Sequence, residues 1–265
     1  MLVEVDIDGD LAIVTLNDAP RRNALSAELV CGLLAAFDQP SLQAARAVIV
    51  AARGPVFCAG ADIGGLLANG WMEADGGRNN PVLAFQRLAA HSRPVIAAAA
   101  GSAFGGGFEL MLSCDLAIAA SDAVFALPEA SHGVIPNTGL AVLTALIGRR
   151  RAYELAATGR RIDAREAAQL GLVNGVAPAG AVLENAKALA RQITGTAAPG
   201  ALRGIKEALA KHAPIDWRAV QDSLAALPRE QWQEGLGAFV ARRAPNYETF
   251  WREARNAHPD QGETA

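Results

Sequence analysis

The chain has 265 residues, of which 51% are apolar and 19% are charged, a composition typical of a folded globular protein rather than a disordered one. Its formal net charge of -3 offers no basic surface for nucleic acid, and its three cysteines, without a CxxC spacing, indicate neither a metal site nor a disulfide framework. The acidic N-terminus and the glycine-interrupted apolar stretch at residues 94–114 predict neither a signal peptide nor a membrane span, so we expect a cytoplasmic enzyme.

Strands and helices alternate in the first half of the chain. Residues 2–8 and 11–16 alternate apolar and polar side chains around a Gly-Asp turn, which predicts a β-hairpin. Ser26 is a predicted N-cap of a helix that ends near Phe37. Wholly apolar runs predict buried strands at 47–52, 94–101 and 115–120, and helices are expected at about 81–90 and 106–114. This order predicts a layered α/β core.

From about residue 138 onward the pattern is helical. Prolines stand near the starts of several predicted helices. Asp163 with Glu166 resembles a capping box. Residues 64–80, rich in Gly and Asn, predict a mobile loop. Helices are predicted at 138–147, 150–158, 163–170, 180–193, 199–211, 215–226, 229–241 and 246–256.

The segment GSAFGGGFEL (101–110) joins a buried strand to the start of a helix. The first amides of a helix lack intrahelical acceptors and carry the positive end of its dipole, so this turn could hold an oxyanion or a phosphate. The same glycines would also serve a tight strand-to-helix crossing, and on the glycines alone the two interpretations are equal. The third glycine of a dinucleotide fingerprint would fall at Leu110, and P-loop, HExxH and GxSxG motifs do not occur.

Two glutamates stand among apolar residues. Glu109 lies in the first turn of the helix after the glycines, and Glu129 follows Pro128 in VFALPEASHGVIP. Each could be a helix-start acid stabilised by the dipole, yet two such acids near a candidate anion site favour acid–base catalysis. Burial would raise at least one pKa, and a pair can divide into one acid and one base.

Other reactive side chains carry weaker signals. His132 is interpreted as a hydrogen-bonding structural residue in preference to a general base, and Cys58 as a small buried residue in preference to a nucleophile. The basic pair Arg21-Arg22 is interpreted as a phosphate contact, whereas the basic run 149–151 is expected to be solvated surface.

Several ordered segments together resemble the enoyl-CoA hydratase/isomerase family, the crotonase superfamily. They span nearly the whole chain: NAL (23–25), FCAGADI (57–63), AFGGGFELMLSCDLAIA (103–119), FALPEASHGVIP (125–136), TGRRIDAREAAQLGLVNGV (158–176) and EGLGAFVARR (234–243). The resemblance implies a spiral core of ββα units over residues 1–195. It also implies a C-terminal helical trimerisation region over residues 196–265, in a homotrimer or a hexamer.

The resemblance further implies a ligand and roles for site residues. Members bind acyl-CoA thioesters, and CoA is part of the substrate, so no separate cofactor is expected. The backbone N–H groups of Ala61 and Gly106 would form an oxyanion hole for the thioester oxygen. Glu109 would deprotonate the water that attacks C3 of a 2-enoyl-CoA, and Glu129 would protonate C2. CoA contacts are implied for Arg21, Arg22, Ala24, Ala59, Asp62, Ile63 and Phe239, the last across a subunit boundary.

The chain departs from the family pattern at two positions. Asn137 stands where hydratases usually have a glycine, and Gly64 stands where a lysine usually follows GADI. The two acids favour an enoyl-CoA hydratase, since isomerases commonly keep only one. The alternatives are a carnitinyl-CoA dehydratase-like enzyme for polar acyl groups, an isomerase, hydrolase or decarboxylase, and a silent acyl-CoA-binding protein. Residues 64–80 would form a lid over the acyl site.

Overall fold

Two β-sheets organise the chain, which the computed structural model describes over residues 1–69 and 80–257. The strands of this part are β1 (Val3–Asp8), β2 (Leu11–Leu16), β3 (Ala47–Ala52), β4 (Val56–Cys58), β5 (Val95–Ala99), β6 (Ser102–Phe104), β7 (Leu116–Ala120), β8 (Val124–Ala126), β9 (Ile162–Asp163) and β10 (Gly175–Ala177). The larger sheet has the order β1-β2-β3-β5-β7-β10, in which β1 and β2 form the predicted antiparallel hairpin and the other neighbours are parallel. The smaller sheet has the order β4-β6-β8-β9, with only β8 and β9 antiparallel.

Each ββα unit adds one strand to each sheet before a helix begins. β3 is followed by β4, β5 by β6, and β7 by β8, so the chain advances along both sheets in parallel. The spiral of ββα units implied by the resemblance is therefore the fold observed. The helices are α1 (Ala27–Phe37), α2 (Pro40–Ala44), α3 (Ile63–Asn69), α4 (Pro81–Ala89), α5 (Gly106–Leu112), α6 (Asn137–Ile147), α7 (Arg149–Thr158), α8 (Ala164–Gln169), α9 (Val182–Thr196), α10 (Pro199–His212), α11 (Trp217–Ala225), α12 (Arg229–Val240) and α13 (Glu248–Ala257).

The middle strands of the larger sheet are apolar on both faces because both faces are covered. All five residues of β5 are buried, and α9 packs against β3, β5 and β7. The small side chains of residues 97–99 let this helix approach the sheet closely. Burying one large aliphatic side chain contributes about 1.5–3 kcal/mol to the stability of the fold. The many buried side chains of this core therefore stabilise the scaffold that carries the more irregular loops of the site.

The described part of the chain contains five short strands that the sequence analysis did not predict. β4 lies in a segment interpreted as a loop, and β9 and β10 lie in a region interpreted as wholly helical. Each has only two or three residues, too few for a periodic pattern, and each depends on a distant partner. Phe125 of β8, for example, pairs with Ile162 of β9.

Most predicted helix ends are confirmed. The Ser26 hydroxyl accepts the N–H of Leu29 at 3.3 Å, and Asp163 accepts the N–H of Glu166 at 2.7 Å. The predicted loop at residues 64–80 begins instead as helix α3, and its residues 70–79 lie outside the described ranges. The boundary between residues 195 and 196 falls at the end of α9 and stays a prediction. Within the described ranges, none of the helices is long and apolar enough to span a bilayer.

Candidate active site

A cavity of about 430 Å³ opens between the start of α5, the 3-10 helix Glu129–His132 and α12, and its volume suits a small-molecule ligand. Three predicted site residues, Arg21, Ala24 and Asp62, do not line it. The other predicted site residues meet around it: Arg22, Ala59, Ala61, Ile63, Gly106, Glu109, Glu129 and Phe239.

The two predicted oxyanion donors meet because glycines let two loops touch. Gly60 has a φ of +97°, and a Cβ at this position would lie 2.7 Å from the carbonyl oxygen of Phe104. A Cβ at Gly106 would lie 3.8 Å from the backbone nitrogen of Ala61. Within the described ranges, neither the Ala61 nor the Gly106 amide has a protein acceptor. The pair is therefore placed to receive one oxyanion.

Asn23 holds the loop that presents Arg22 at the edge of the cavity. The side chain is fully buried, and both residues have a φ of +54°. Its Oδ1 accepts the N–H of Asp18 at 2.8 Å, and its Nδ2 donates to the carbonyls of Arg53 and Val56, both at 2.9 Å. The first of these hydrogen bonds closes the loop on itself, and the other two hold it against the β3–β4 connection and the start of β4, so a buried amide fixes the loop that carries Arg22.

Glu109 projects from the first turn of α5 and is only 9% exposed. Its Oε1 accepts the N–H of Gly139 at 2.7 Å. Its Oε2 faces the oxyanion glycine, since a Cβ at Gly106 would lie 3.8 Å from it. Burial raises the pKa of Glu109 to about 7, and hydrogen bonds from the Gly139 and Thr138 backbone oppose part of the rise.

Glu129 opens the 3-10 helix, and its carboxyl lies over Gly105. A Cβ at Gly105 would lie 2.9 Å from Oε1, and the φ of +53° there also favours glycine. The Oε2 of Glu129 is buried and has no hydrogen-bond partner among the described residues. Burial raises the pKa of Glu129 well above its usual value, and the negative charge of Glu109 raises it further. The two carboxyls therefore resist being ionised together, and the directions of the two pKa shifts favour Glu109 as the one that ionises first.

Helix α12 closes one side of the cavity. Its crossing over the 3-10 helix is tight, because a Cβ at Gly235 would overlap the carbonyl of His132 and a Cβ at Gly133 would lie 2.5 Å from the carbonyl oxygen of Gln231. The Phe239 ring then packs edge-on against His132, with ring centroids 4.9 Å apart. Phe239 lines the cavity of its own chain, and its contact with CoA across a subunit boundary stays a prediction.

The three predicted CoA-binding residues outside the cavity all have local partners. Arg21 donates from Nε to the carboxylate of Asp18 at 2.7 Å. Asp62 accepts the N–H of Gly65 at 3.3 Å, at the start of α3. Ala24 donates its N–H to the carbonyl of Arg21 at 3.2 Å. Their contact with CoA stays a prediction.

The departure at Asn137 has a structural consequence. The Nδ2 of Asn137 donates to the hydroxyl of Ser223 at 2.7 Å and to the carbonyl of Val220 at 2.5 Å. Both partners belong to α11, so this side chain ties α11 to the start of α6, and a glycine could not do so. The Oδ1 of Asn137 is buried without a partner within the described ranges.

Two other reactive side chains behave as structural residues. The Cys58 thiol is buried and donates to the carbonyl of Asn23 at 3.0 Å, and burial raises its pKa to about 12, so it is a poor nucleophile. Burial lowers the pKa of His132, which keeps its ring neutral against Phe239. No three His, Cys, Asp or Glu side chains of residues 1–69 and 80–257 are placed to share a metal ion.

Some cavity residues escaped the sequence analysis. Arg161 lines the cavity, although no motif distinguishes it from Arg160 beside it. The start of α4 also lines it, and the only signal there is the pairing of Asn80 with Pro81, which is typical of a capped helix start.

The chain is similar to known proteins along nearly its full length. A family model described as enoyl-CoA hydratase/isomerase matches residues 6–250. A putative enoyl-CoA hydratase of Thermus thermophilus is 36% identical over 259 residues, covering 93% of this chain and 100% of that protein. A solved carnitinyl-CoA hydratase from Mycobacterium avium has a TM-score of 0.79 at 31% identity, covering 94% of this chain and 98% of that one. A methylmalonyl-CoA decarboxylase in complex with 2-nitronate-propionyl-CoA also has a TM-score of 0.79, at 27% identity and with 93% and 98% covered.

Proposed function

The chain belongs to the enoyl-CoA hydratase/isomerase family, and from that premise we propose that it is an enoyl-CoA hydratase. This lyase adds water across the 2,3 double bond of a 2-enoyl-CoA and forms a 3-hydroxyacyl-CoA. The match over residues 6–250 and the relatives named enoyl-CoA hydratase support this reaction. The observation that carries it is the pair of carboxyls, the half-buried Glu129 at Gly105 and the buried Glu109 at Gly106, beside two amides that have no acceptor within the described ranges.

The oxyanion site is proposed to hold the thioester oxygen through the N–H groups of Ala61 and Gly106. When water adds at C3, negative charge moves onto this oxygen as an enolate forms. Donors that are already in place stabilise that charge without reorganising, by roughly 3–4 kcal/mol each. The contact between the Gly60 loop and the start of α5 therefore serves catalysis.

Glu109 is proposed as the base and Glu129 as the acid. Because burial and the charge of Glu109 raise the pKa of Glu129, and the pKa of Glu109 is about 7, Glu109 is the carboxyl that ionises as the pH rises through 7 while Glu129 keeps its proton. Glu109 takes one proton from water as its oxygen bonds to C3, and Glu129 gives its proton to C2. The proton on Glu109 then passes to Glu129, directly or by exchange through solvent, which restores an ionised Glu109 and a protonated Glu129.

The CoA part of the substrate is proposed to lie along the side of the cavity that is lined by Arg22, Ala59 and Ile63. Arg22, exposed at its edge, would pair with phosphate, and Ala59 and Ile63 would contact less polar parts. Phe239 would close over the thioester from α12. Since CoA arrives with the substrate, we propose that the reaction takes no separate cofactor and no metal.

We also propose that the protein is a homotrimer, alone or paired into a hexamer, in the cytoplasm. Ile205 and Leu209 on α10 are 56% and 63% exposed, and this apolar surface would suit a second copy of the chain. All three cysteines are free thiols, which suits a reducing compartment. Light scattering should give a molar mass three or six times that of one chain, and the molar mass of a monomer would contradict the proposed assembly.

The test of the proposed function is the reaction with crotonyl-CoA. Hydration removes the conjugated double bond, so the enoyl-thioester absorbance should fall and the product should gain the mass of one water. A moved double bond, free CoA or lost carbon dioxide would instead identify an isomerase, a hydrolase or a decarboxylase. Binding without any product, across uncharged and polar acyl-CoAs, would identify a silent binder.

A further inference from the structure

Arg161 is a charged residue of the cavity that the proposed hydration does not use. In the described ranges, the cavity is lined by two arginines and two glutamates. Glu109 and Glu129 carry the acid–base steps, and Arg22 is assigned to CoA. Arg161 lies on the connection between α7 and β9, on the side of the cavity formed by Pro128.

The guanidinium of Arg161 is oriented but has no anionic partner. Its neighbour Arg160 pairs with Glu154 and Glu166, each at 2.6 Å. Arg161 forms no ion pair within residues 1–69 and 80–257, and its guanidinium carbon lies 5.8 Å from the ring centroid of Phe104. Contact with a ring face uses none of the five N–H donors, so all of them remain for an anion.

Phe104 places this guanidinium near the reacting end of the cavity. Phe104 is followed directly by Gly105, over which the Glu129 carboxyl lies. The loop that carries the arginine is held at the same end, because a Cβ at Gly159 would lie 3.0 Å from the Cα of Pro128. An anion bound here would therefore lie close to the acyl chain.

The guanidinium is not a partner of the catalytic acid. The Oε2 of Glu129 has no hydrogen-bond partner in the described part of the chain. Burial and the charge of Glu109 raise the pKa of Glu129, whereas a paired arginine would lower it. Since Arg161 does not neutralise the acid, its charge is left for the substrate.

We propose that Arg161 binds a carboxylate on the acyl chain, and that the preferred substrates are 2-enoyl-CoA thioesters of dicarboxylic acids. A carboxylate matches the guanidinium fork with two parallel hydrogen bonds. The inference rests on the proposed function for the position of the acyl chain, and it leaves the hydration chemistry unchanged. The phosphates of CoA are the other source of an anion, and the experiment separates the two.

The test compares two saturated, unreactive thioesters of equal chain length, glutaryl-CoA with a terminal carboxylate and pentanoyl-CoA without one. Titration calorimetry would give their Kd values for the wild type, Arg161→Gln and Arg22→Gln. Arg165→Gln, an exposed residue of α8 outside the cavity, is the control for loss of charge. The wild type should bind glutaryl-CoA more tightly than pentanoyl-CoA.

Arg161→Gln should weaken glutaryl-CoA binding by about 10–100-fold and pentanoyl-CoA binding by less than about threefold, the range for a charged hydrogen bond. Arg22→Gln should weaken both by a similar factor. If Arg161→Gln weakens the binding of both ligands equally, Arg161 contacts a phosphate of CoA. If it weakens neither, Arg161 does not bind the ligand. Either result overturns the proposal. If the glutamine variant fails to fold, Arg161→Lys is the substitute, because lysine keeps the charge but lacks the planar guanidinium with its paired donors. It should weaken the binding of glutaryl-CoA selectively, but by a smaller factor. Because neither ligand reacts, failure to hydrate crotonyl-CoA would refute the proposed function without deciding this inference.

Discussion

Replacing Glu109 by glutamine should stabilise the fold at slightly alkaline pH while it removes the base. Burial raises the pKa of Glu109 from 4.5 to about 7, so the folded chain disfavours the ionised form that the unfolded chain accepts. As the pH rises from 4.5 to 7, the wild type therefore loses stability, and above pH 7 the loss is constant. At about 1.36 kcal/mol per pKa unit, the difference between 4.5 and about 7 corresponds to about 3 kcal/mol.

Glutamine suits this test because it keeps the shape of the side chain. Its amide oxygen can accept the N–H of Gly139, which Glu109 now accepts at 2.7 Å. Urea unfolding of wild type and Glu109→Gln should show similar stability at about pH 4.5 and a gain of up to about 3 kcal/mol for the variant at about pH 8. Glu230→Gln, at an exposed position on α12, is the control and should show no such pH dependence. A Glu109→Gln variant no more stable than the wild type at pH 8 would refute the reasoning.

Three further predictions concern pH, packing and the Arg22 loop. Since the reaction needs an ionised Glu109 and a protonated Glu129, kcat/KM should follow a bell-shaped pH profile that rises around pH 7, and a flat profile would contradict the division of roles. Gly107→Ala should prevent soluble folding, because its Cβ would overlap a backbone carbonyl of β4, whereas Gly180→Ala meets open space and should melt like the wild type. Asn23→Ala removes three buried hydrogen bonds, so thermal unfolding should show a loss of about 3 kcal/mol and the KM for acyl-CoA should rise; an unchanged KM would mean that the loop does not position CoA.

The sequence predicted those elements whose signal is local. The apolar run at residues 47–52 became β3, and the helix expected at 199–211 became α10, Pro199–His212. The strands of the smaller sheet were missed because two or three residues carry no period and their pairing joins distant segments. The longer elements were therefore enough to predict the α/β fold class, whereas the smaller sheet could not be predicted from the sequence.

The site divides in the same way. The glycine turn and Glu109 could be identified from the residues alone, because an acid among apolar side chains after three glycines is unusual. The Ala61 donor came from the family resemblance only, since its position depends on the φ of +97° at Gly60 and on contact with Phe104. Arg161 lies in the family-like segment 158–176, yet nothing in that segment distinguishes it as a site residue, because only the tertiary fold brings it to the cavity.

The most direct test of the two-acid mechanism compares wild type, Glu109→Gln and Glu129→Gln on crotonyl-CoA, with the Kd for butyryl-CoA measured in parallel. The wild type should form 3-hydroxybutyryl-CoA. Each variant should be slower by at least about 10²-fold while its Kd for butyryl-CoA stays within about threefold of the wild-type value. A variant that hydrates crotonyl-CoA at nearly the wild-type rate would contradict the account.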